Sequence, residues 1–286
     1  MFFRNLKRCS SGKQWAQRQA LDPFVIDARR KGYISRSAFK LLYLDDRYGL
    51  FHRRKTRAVI DLGCSPGGWC QVIRERTGDA CMIFGVDILN VKVNVLNAVF
   101  VQGDFKSIDV QKTLLEHLNG HKLLPENMSS SLSATTTEDS RGHGKDICKS
   151  RGKVDVIVSD MCPNREGGAQ DRHRISALDL LALKFSLPLL KEGGHFVCKV
   201  LGSPASYKDL HVAMQRVFQQ VHINKPSASR MHSDESFLVG HSMLKETSPM
   251  QFCENGIIRP NEGRFNLDNW PGFMRTQEYR NRKKKW

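Results

Sequence analysis

The stretch that decides the fold is Ala58-Val59-Ile60-Asp61-Leu62-Gly63-Cys64-Ser65-Pro66-Gly67-Gly68-Trp69. A β-branched apolar run ends in Asp-Leu-Gly, a Pro-Gly-Gly corner follows, and residues 71–76 continue as a helical pattern. The stretch therefore predicts a buried strand, a tight glycine turn and a helix. In an open α/β sheet such a turn lies at the carboxyl end of the first strand, where ligands bind.

The turn differs from the phosphate-binding turn of dinucleotide enzymes. Those enzymes carry G-x-G-x-x-G, whereas here Gly63 is followed by Gly67 and Gly68, and Pro66 removes a backbone donor. Asp61 adds negative charge, which disfavours a phosphate and favours a cationic cofactor such as S-adenosylmethionine. A nicotinamide oxidoreductase is the least favoured enzyme class, and an ordinary strand-to-helix turn is the alternative without a ligand.

Acidic residues follow the second and third predicted strands. Asp87 ends the strand 81–86, about 20 residues past the glycine turn, where an acid binds ribose hydroxyls. Asp104 follows a short third strand and is placed to accept a hydrogen bond from an adenine amino group. Asp104 is also a candidate N-cap for a helix over 107–118.

Two charged residues end neighbouring predicted strands later in the chain. Asp160 follows the strand 154–159, and Lys199 follows the strand 195–198. A lysine at a strand end is commonly a solvent-exposed residue, but together the two charges favour a shared site at the carboxyl edge. Lys40, in an early predicted helix, would by itself be assigned to the surface.

The positive charge of the chain is concentrated near its amino terminus. The formal net charge is +16, and residues 1–57 contain fifteen Lys and Arg against four acids, or +11. A solvated surface is the usual explanation of a charge run, but this concentration favours contact with a nucleic acid. Six residues are expected to contact RNA phosphates on one face beside Lys40, namely Arg29, Arg30, Lys31, Arg53, Arg54 and Lys55.

Composition divides the chain into segments. Residues 1–14 form a predicted mitochondrial transit peptide, because the early residues are rich in Arg, Lys and Ser and lack acids; a permanent basic arm is the alternative. Residues 15–57 form a basic RNA-docking lead-in, and 58–244 form the core, with a flexible polar insertion at 120–152. Residues 245–286 form a basic tail that is expected to be poorly ordered.

Cysteine spacing and hydropathy argue against a zinc site, disulfide bonds and a membrane span. The eight cysteines include no C-x-x-C pair, so neither a zinc site nor disulfides are expected, and a reducing compartment is indicated. No run of about 18 apolar residues occurs, so no membrane span is predicted.

These motifs resemble the FtsJ/RrmJ family of ribosomal RNA 2′-O-ribose methyltransferases, from about Trp15 to Ser242. The most specific pieces are Ser35-Arg36-Ser37-Ala38-Phe39-Lys40-Leu41, the turn at 61–69, Ser159-Asp160-Met161-Cys162-Pro163-Asn164, and Lys225-Pro226 through Ser233-Asp234-Glu235. The mitochondrial members are the most similar. Cys162 departs from the alanine of many relatives, which its small size makes tolerable.

The resemblance implies a Rossmann-like S-adenosylmethionine methyltransferase fold, with a seven-stranded mixed sheet, a reversed terminal hairpin and helices on both faces. It implies a catalytic tetrad of Lys40, Asp160, Lys199 and Glu235. It implies contacts with S-adenosyl-L-methionine by Pro66, Gly67, Gly68, Trp69, Asp87, Asp104 and Asp160. The expected reaction is methylation of a uridine of mitochondrial large-subunit rRNA, by a monomer acting in the matrix on an assembling large ribosomal subunit.

The chemistry explains why these residue types are needed. The ribose 2′-hydroxyl must lose a weakly acidic proton, so Lys199 is expected to be neutral or to become a base transiently. Lys40 would disfavour the charged form of Lys199, while Asp160 and Glu235 orient it. No metal is needed, because the leaving group departs as a neutral thioether. A ribosome assembly factor with secondary methylation and an mRNA-cap 2′-O-methyltransferase are the alternatives.

Overall fold

The computed structural model describes residues 20–126, 128–129, 152–163, 169–230 and 233–245, and the backbone of two short strands further on. The predicted transit peptide, much of the predicted insertion and most of the predicted tail lie outside these residues.

Helices and strands alternate along the described chain. The helices are α1 (Pro23–Arg30), α2 (Ala38–Tyr48), α3 (Gly68–Thr77), α4 (Ile108–Gly120), α5 (Ala169–Ser186) and α6 (Lys208–Val217), with a 3-10 turn at Pro204–Tyr207. The strands are β1 (Ala58–Leu62), β2 (Met82–Asp87), β3 (Ala98–Gln102), β4 (Val154–Ser159), β5 (Leu190–Leu201), β6 (Phe218–Asn224), β7 (Glu235–Met243), β8 (Met250–Phe252) and β9 (Ile258–Pro260).

The first seven strands form one sheet in the order β3-β2-β1-β4-β5-β7-β6. Neighbouring strands are parallel from β3 to β5, whereas β7 runs antiparallel to both β5 and β6. The predicted seven-stranded mixed sheet with a reversed terminal hairpin is confirmed. Strands β8 and β9 pair in the predicted tail, so this segment contains some regular structure.

Two hydrophobic clusters cover the two faces of the sheet. One includes apolar residues of α2 and α3, and the other includes those of α4, α5 and α6. All five residues of β1 are buried, which is why this strand appears in the sequence as a continuous apolar run interrupted only by Asp61. In the described part of the chain, no helix combines the length and apolar composition needed to cross a bilayer.

The strand directions bring the functional side chains to one edge. We call the edge at which β1 to β5 end the carboxyl edge, and the opposite one the amino edge. Asp87, Asp160 and Lys199 lie at the carboxyl edge because their strands are parallel. Glu235 reaches it as the first residue of β7, because that strand is reversed and pairs Glu235 with Leu201.

The basic segment is divided between the two edges, so the expectation of one continuous basic face beside Lys40 is wrong. Lys31 lies over the ring of Phe39, next to Lys40. Arg53 and its neighbours follow α2 and precede β1, which places them at the amino edge. Helix α2 separates the two groups by about 16 Å, at 1.5 Å per residue.

Three positions differ from the sequence-based expectations. Strand β5 continues to Leu201, so Lys199 lies within this strand, near its end, and does not follow it. Leu124 and Met128 are 4% and 3% exposed and belong to the core, so the predicted insertion at 120–152 begins with packed residues. The N-cap of α4 is Ser107 rather than Asp104. The Asp104 carboxylate instead accepts a hydrogen bond from the Lys106 backbone N–H at 3.0 Å.

Candidate active site

The four predicted tetrad residues come together as two ion pairs. Lys40 Nζ lies 2.7 Å from Glu235 Oε1, and Lys199 Nζ lies 2.9 Å from Asp160 Oδ1. All four side chains are largely buried, with 9% to 19% of their surface exposed. Lys199 also donates to the main-chain carbonyl of Asp160. The site therefore contains two lysines and two carboxylates in a largely buried cluster.

The charges of the two pairs interact. Burial alone would raise the pKa of Asp160, but Lys199 and then Lys40 outweigh it and lower that pKa. Burial alone would lower the pKa of Lys199, but Asp160, with a smaller contribution from Glu235, raises it. Lys199 is therefore an ammonium at rest. Of the two expected states, transient loss of its proton is the one that this pairing favours.

A second layer of contacts holds Glu235 against Lys40. Ser229, which is 7% exposed, donates from Oγ to Glu235 Oε1 at 2.7 Å. Arg36 donates to the carbonyl of the preceding residue, Ala228, and to the Asp22 carboxylate at the start of α1. Sequence reasoning assigned no role to Ser229 or Arg36, although both lie in the motifs that carry the family resemblance.

The glycine turn between β1 and α3 is tightly enclosed. Gly67 has φ +114°, and a Cβ there would lie 2.2 Å from Val93 Cγ2. A Cβ on Gly68 would lie 2.5 Å from the hydroxyl of Ser35. No larger residue fits either position without movement of its neighbours, so glycine is required at both positions for the turn to pack against Val93 and Ser35.

Three carboxylates surround this turn. Asp61 is fully buried, which raises its pKa to about 7; a hydrogen bond from Cys70 Sγ, at 3.2 Å, opposes this shift, and the charges of Asp160 and Asp87 add to it. Its Oδ1 has no hydrogen-bond partner among the described residues. A buried orphan carboxylate oxygen beside two further acids fits a ligand that carries positive charge and N–H donors.

Backbone amides orient the Asp87 carboxylate at the tip of β2. Ser65 N–H donates to Oδ2 at 2.9 Å, and Leu89 N–H donates to Oδ1 at 2.8 Å. Each oxygen keeps a second lone pair, so the geometry suits the predicted binding of ribose hydroxyls. Asp104 is half-exposed and pairs with Lys106 Nζ at 3.2 Å.

Trp69 connects the glycine turn to the helix that carries Lys40. Its indole is 3% exposed, donates to the Ser37 carbonyl at 2.9 Å, and lies 5.8 Å from the Phe237 ring. Because the ring is part of the core, its direct contact with a cofactor stays a prediction. Its structural role is to hold α2 against the turn.

Asp179 is a buried acid on α5 that the sequence analysis missed. It is 4% exposed, and burial raises its pKa to about 8, against the opposing charge of Lys199 and a hydrogen bond with Cys198. The available signal was an acid within the leucine-rich part of that helix. Within the described segments, no group of three or more His, Cys, Asp or Glu side chains is arranged to hold a metal ion.

The chain matches known methyltransferases along most of its length. The FtsJ-like methyltransferase family model matches residues 33–243. Two curated proteins named ribosomal RNA large subunit methyltransferase E are similar to this chain. The protein from Zymomonas mobilis subsp. mobilis is 35% identical, and the match covers 84% of this chain and 92% of that protein. The protein from Granulibacter bethesdensis is 38% identical, and the match covers 82% of this chain and 85% of that protein. A solved ribosomal RNA methyltransferase from Plasmodium falciparum has a TM-score of 0.54 at 27% identity, covering 74% of this chain and 99% of that one.

Proposed function

The chain belongs to the FtsJ-like methyltransferase family and is an RNA methyltransferase, and from that premise we propose that it methylates a ribose 2′-oxygen. The donor is S-adenosyl-L-methionine, and the substrate is a uridine of mitochondrial large-subunit rRNA in an assembling subunit. The observation that carries the proposal is the pairing of Lys40 with Glu235 and of Lys199 with Asp160 beside an acidic glycine turn.

Each part of the turn has a proposed role in holding the cofactor. The negative charge of Asp61 and Asp160 attracts its cationic end, and Asp87 accepts hydrogen bonds from its ribose. Asp104 accepts from its adenine amino group, and the main chain at 66–68 allows close approach. When bound, S-adenosyl-L-methionine supplies an electrophilic methyl group attached to a positively charged sulfur.

Lys199 is the proposed general base, although it carries a proton at rest. Asp160 would share its negative charge between Lys199 and the cationic cofactor, so the pKa of Lys199 falls as the site is assembled. Lys199 Nζ then loses a proton to solvent and accepts the one from the 2′-hydroxyl. Glu235 keeps Lys40 in place as a second positive charge near the reacting oxygen.

Cofactor affinity is expected to increase with pH through about 7. Burial holds the pKa of Asp61 at about 7 in the free protein, and a cationic ligand prefers the ionised carboxylate. The affinity should therefore rise about tenfold from roughly pH 6 to pH 8, with release of a proton on binding. Calorimetry in buffers of different ionisation enthalpy measures both quantities.

Asp61→Asn should remove this pH dependence, because an amide does not titrate in this range. Asp79→Asn, at an exposed position before β2, is the matched control and should keep it. An equally steep pH dependence in Asp61→Asn would assign the titration to another group.

Ser229→Ala is expected to lower kcat about fivefold while the KM for the cofactor stays unchanged. The reason is that Glu235 Oε1 loses one of its two donors, and one hydrogen bond contributes about 1 kcal/mol. Ser233→Ala is the control, because its hydroxyl accepts a longer 3.3 Å bond from the Glu235 backbone. Equal losses of kcat in both variants, or a change confined to the melting temperature, would contradict a positioning role for Ser229.

The test of the proposed function is a map of 2′-O-methyl groups in mitochondrial rRNA from cells with and without the protein. Loss of one uridine mark, restored by the wild type and not by Lys199→Ala, is expected. An unchanged map would overturn the proposal. If the inactive variant restores ribosome assembly as well as the wild type does, then RNA binding is the main function, which the net charge of +16 also favours.

We further propose that residues 1–14 direct import into the mitochondrial matrix. Support comes from five Lys and Arg without an acid before Asp22. Residues 1–14 fused ahead of a fluorescent protein should localise it to mitochondria. A diffuse cytosolic signal would instead favour a permanent basic arm.

A further inference from the structure

Exposed basic side chains surround the amino edge of the sheet, on the side opposite to the tetrad. Four of them fall within five consecutive positions between α2 and β1, and two more precede β4 in the chain. The exposed acids nearby are fewer, namely Asp46, which pairs with Arg76, and Asp79, Glu126 and Glu192. The basic residues are Arg53, Arg54, Lys55, Arg57, Lys122 and Lys153.

Local contacts establish this position. Arg53 lies beside Gly78, the C-cap of α3, so it is at the far end of the helix that begins at the glycine turn. The backbone N–H of Arg57 donates to Asp155 Oδ2, near the start of β4, at 2.7 Å. The five residues of β1 separate the two edges by about 17 Å, at roughly 3.3 Å per residue.

The charge at this edge is not neutralised by the fold. Within the described residues, the side chains of Arg53, Arg54, Lys55 and Arg57 form no ion pair. By contrast, Lys191 at the same edge is paired with Asp155. A cluster of unpaired cations attracts a polyanion, and phosphate contacts of this kind do not depend on sequence.

The basic tail leaves the sheet at the same edge. Strand β7 starts at the tetrad with Glu235 and ends at Met243, and the next residue, Leu244, donates to the Val217 carbonyl at 2.9 Å. The chain therefore enters the tail at the amino edge. Five of the seven residues at 280–286 are Lys or Arg, and the tail that contains them begins in sequence at Lys245, directly after Leu244.

We propose that the amino edge is a second RNA-docking surface, which binds phosphates of an RNA segment remote from the methylated nucleotide. The choice of RNA as the polyanion rests on the proposed function. A short RNA at the tetrad does not reach this surface, whereas a longer RNA that extends past the domain reaches both. The affinity for RNA therefore rises in two stages as the RNA lengthens. The first stage is binding at the tetrad, and the second begins when the RNA is long enough to reach the amino edge as well.

The test compares two triple variants of the full chain that remove equal charge. Arg53→Gln/Arg54→Gln/Lys55→Gln neutralises the amino edge, and Arg29→Gln/Arg30→Gln/Lys31→Gln neutralises the group near Lys40. Affinities for oligouridine RNAs of increasing length are measured against salt concentration. The amino-edge variant should bind short RNA normally and lose the second stage, with a salt slope for long RNA that is lower by about two units, at roughly 0.7 per contact.

The control variant should bind RNA of every length more weakly. Equal losses in both variants at all lengths, or no loss with long RNA in the amino-edge variant, would overturn the second surface. These outcomes are independent of methyl transfer, because they measure binding alone. A failure of the proposed methylation therefore appears in the rRNA map and not in this experiment.

Discussion

Lys199→Ala is expected to lower kcat for methyl transfer by about a thousandfold, within the range typical of a lost general base. Lys199 Nζ contacts both the carboxylate and the carbonyl of Asp160, and Lys199 is only 8% exposed. Cofactor affinity should not fall, because the turn, Asp87 and Asp160 are untouched and the loss of a positive charge beside Asp160 favours a cationic ligand. Single-turnover methylation of an rRNA fragment and calorimetry measure the two effects.

The matched control is Lys191→Ala in the same strand. Lys191 also pairs with a buried aspartate, Asp155, but at the amino edge. Its variant therefore tests the cost of breaking an ion pair in β5 without touching the site. Activity close to wild type is expected for Lys191→Ala, and near-normal activity of Lys199→Ala would refute the base assignment.

The pH profile provides a second readout of the same assignment. Asp160 raises the pKa of Lys199 and the bound cofactor opposes this shift, so the neutral base becomes more abundant as pH rises and kcat should increase with pH. In Asp160→Asn the carboxylate is lost, so the pKa of Lys199 falls and the rising limb should move to lower pH. An unshifted limb would indicate that another group titrates.

Gly67→Ala is expected to weaken cofactor binding more than about tenfold and to destabilise the fold by about 2 kcal/mol. The new Cβ would lie 2.2 Å from Val93 Cγ2 at a backbone φ of +114°. Relief of this contact requires the turn to move away from the main-chain path that accommodates the ligand. Calorimetric affinity and urea unfolding measure the two effects.

Gly49→Ala separates backbone strain from crowding. Gly49 has φ +60°, and a methyl group added there would meet no atom within 4 Å, so its variant should lose about 1 kcal/mol of stability without a change in affinity. The double variant Gly67→Ala/Val93→Ala removes the steric contact and should recover part of the affinity. Normal cofactor binding by Gly67→Ala alone would contradict the role of the turn.

Local sequence patterns determined the elements whose conformation depends on near neighbours. The run Ala58–Leu62, followed by the glycine corner, predicted β1 and the start of α3, because apolar residues in a buried parallel strand need no alternation. Asp160 and Lys199 were predicted at one edge because each was placed at the end of a strand recognised by its apolar run. Lys40 and Glu235 joined them only through the family resemblance, since neither has a local signal of function.

Only the tertiary structure decided the properties that depend on residues distant in sequence. The resting charge of Lys199 follows from Asp160, 39 positions earlier, and the orientation of Glu235 from Lys40 on α2. The raised pKa of Asp179 required knowledge of its burial. The separation of Arg53 from Lys31 likewise needed the direction of α2 in space. Burial and the distances between charges are determined by tertiary packing, so they cannot be predicted from the sequence of one strand or helix alone.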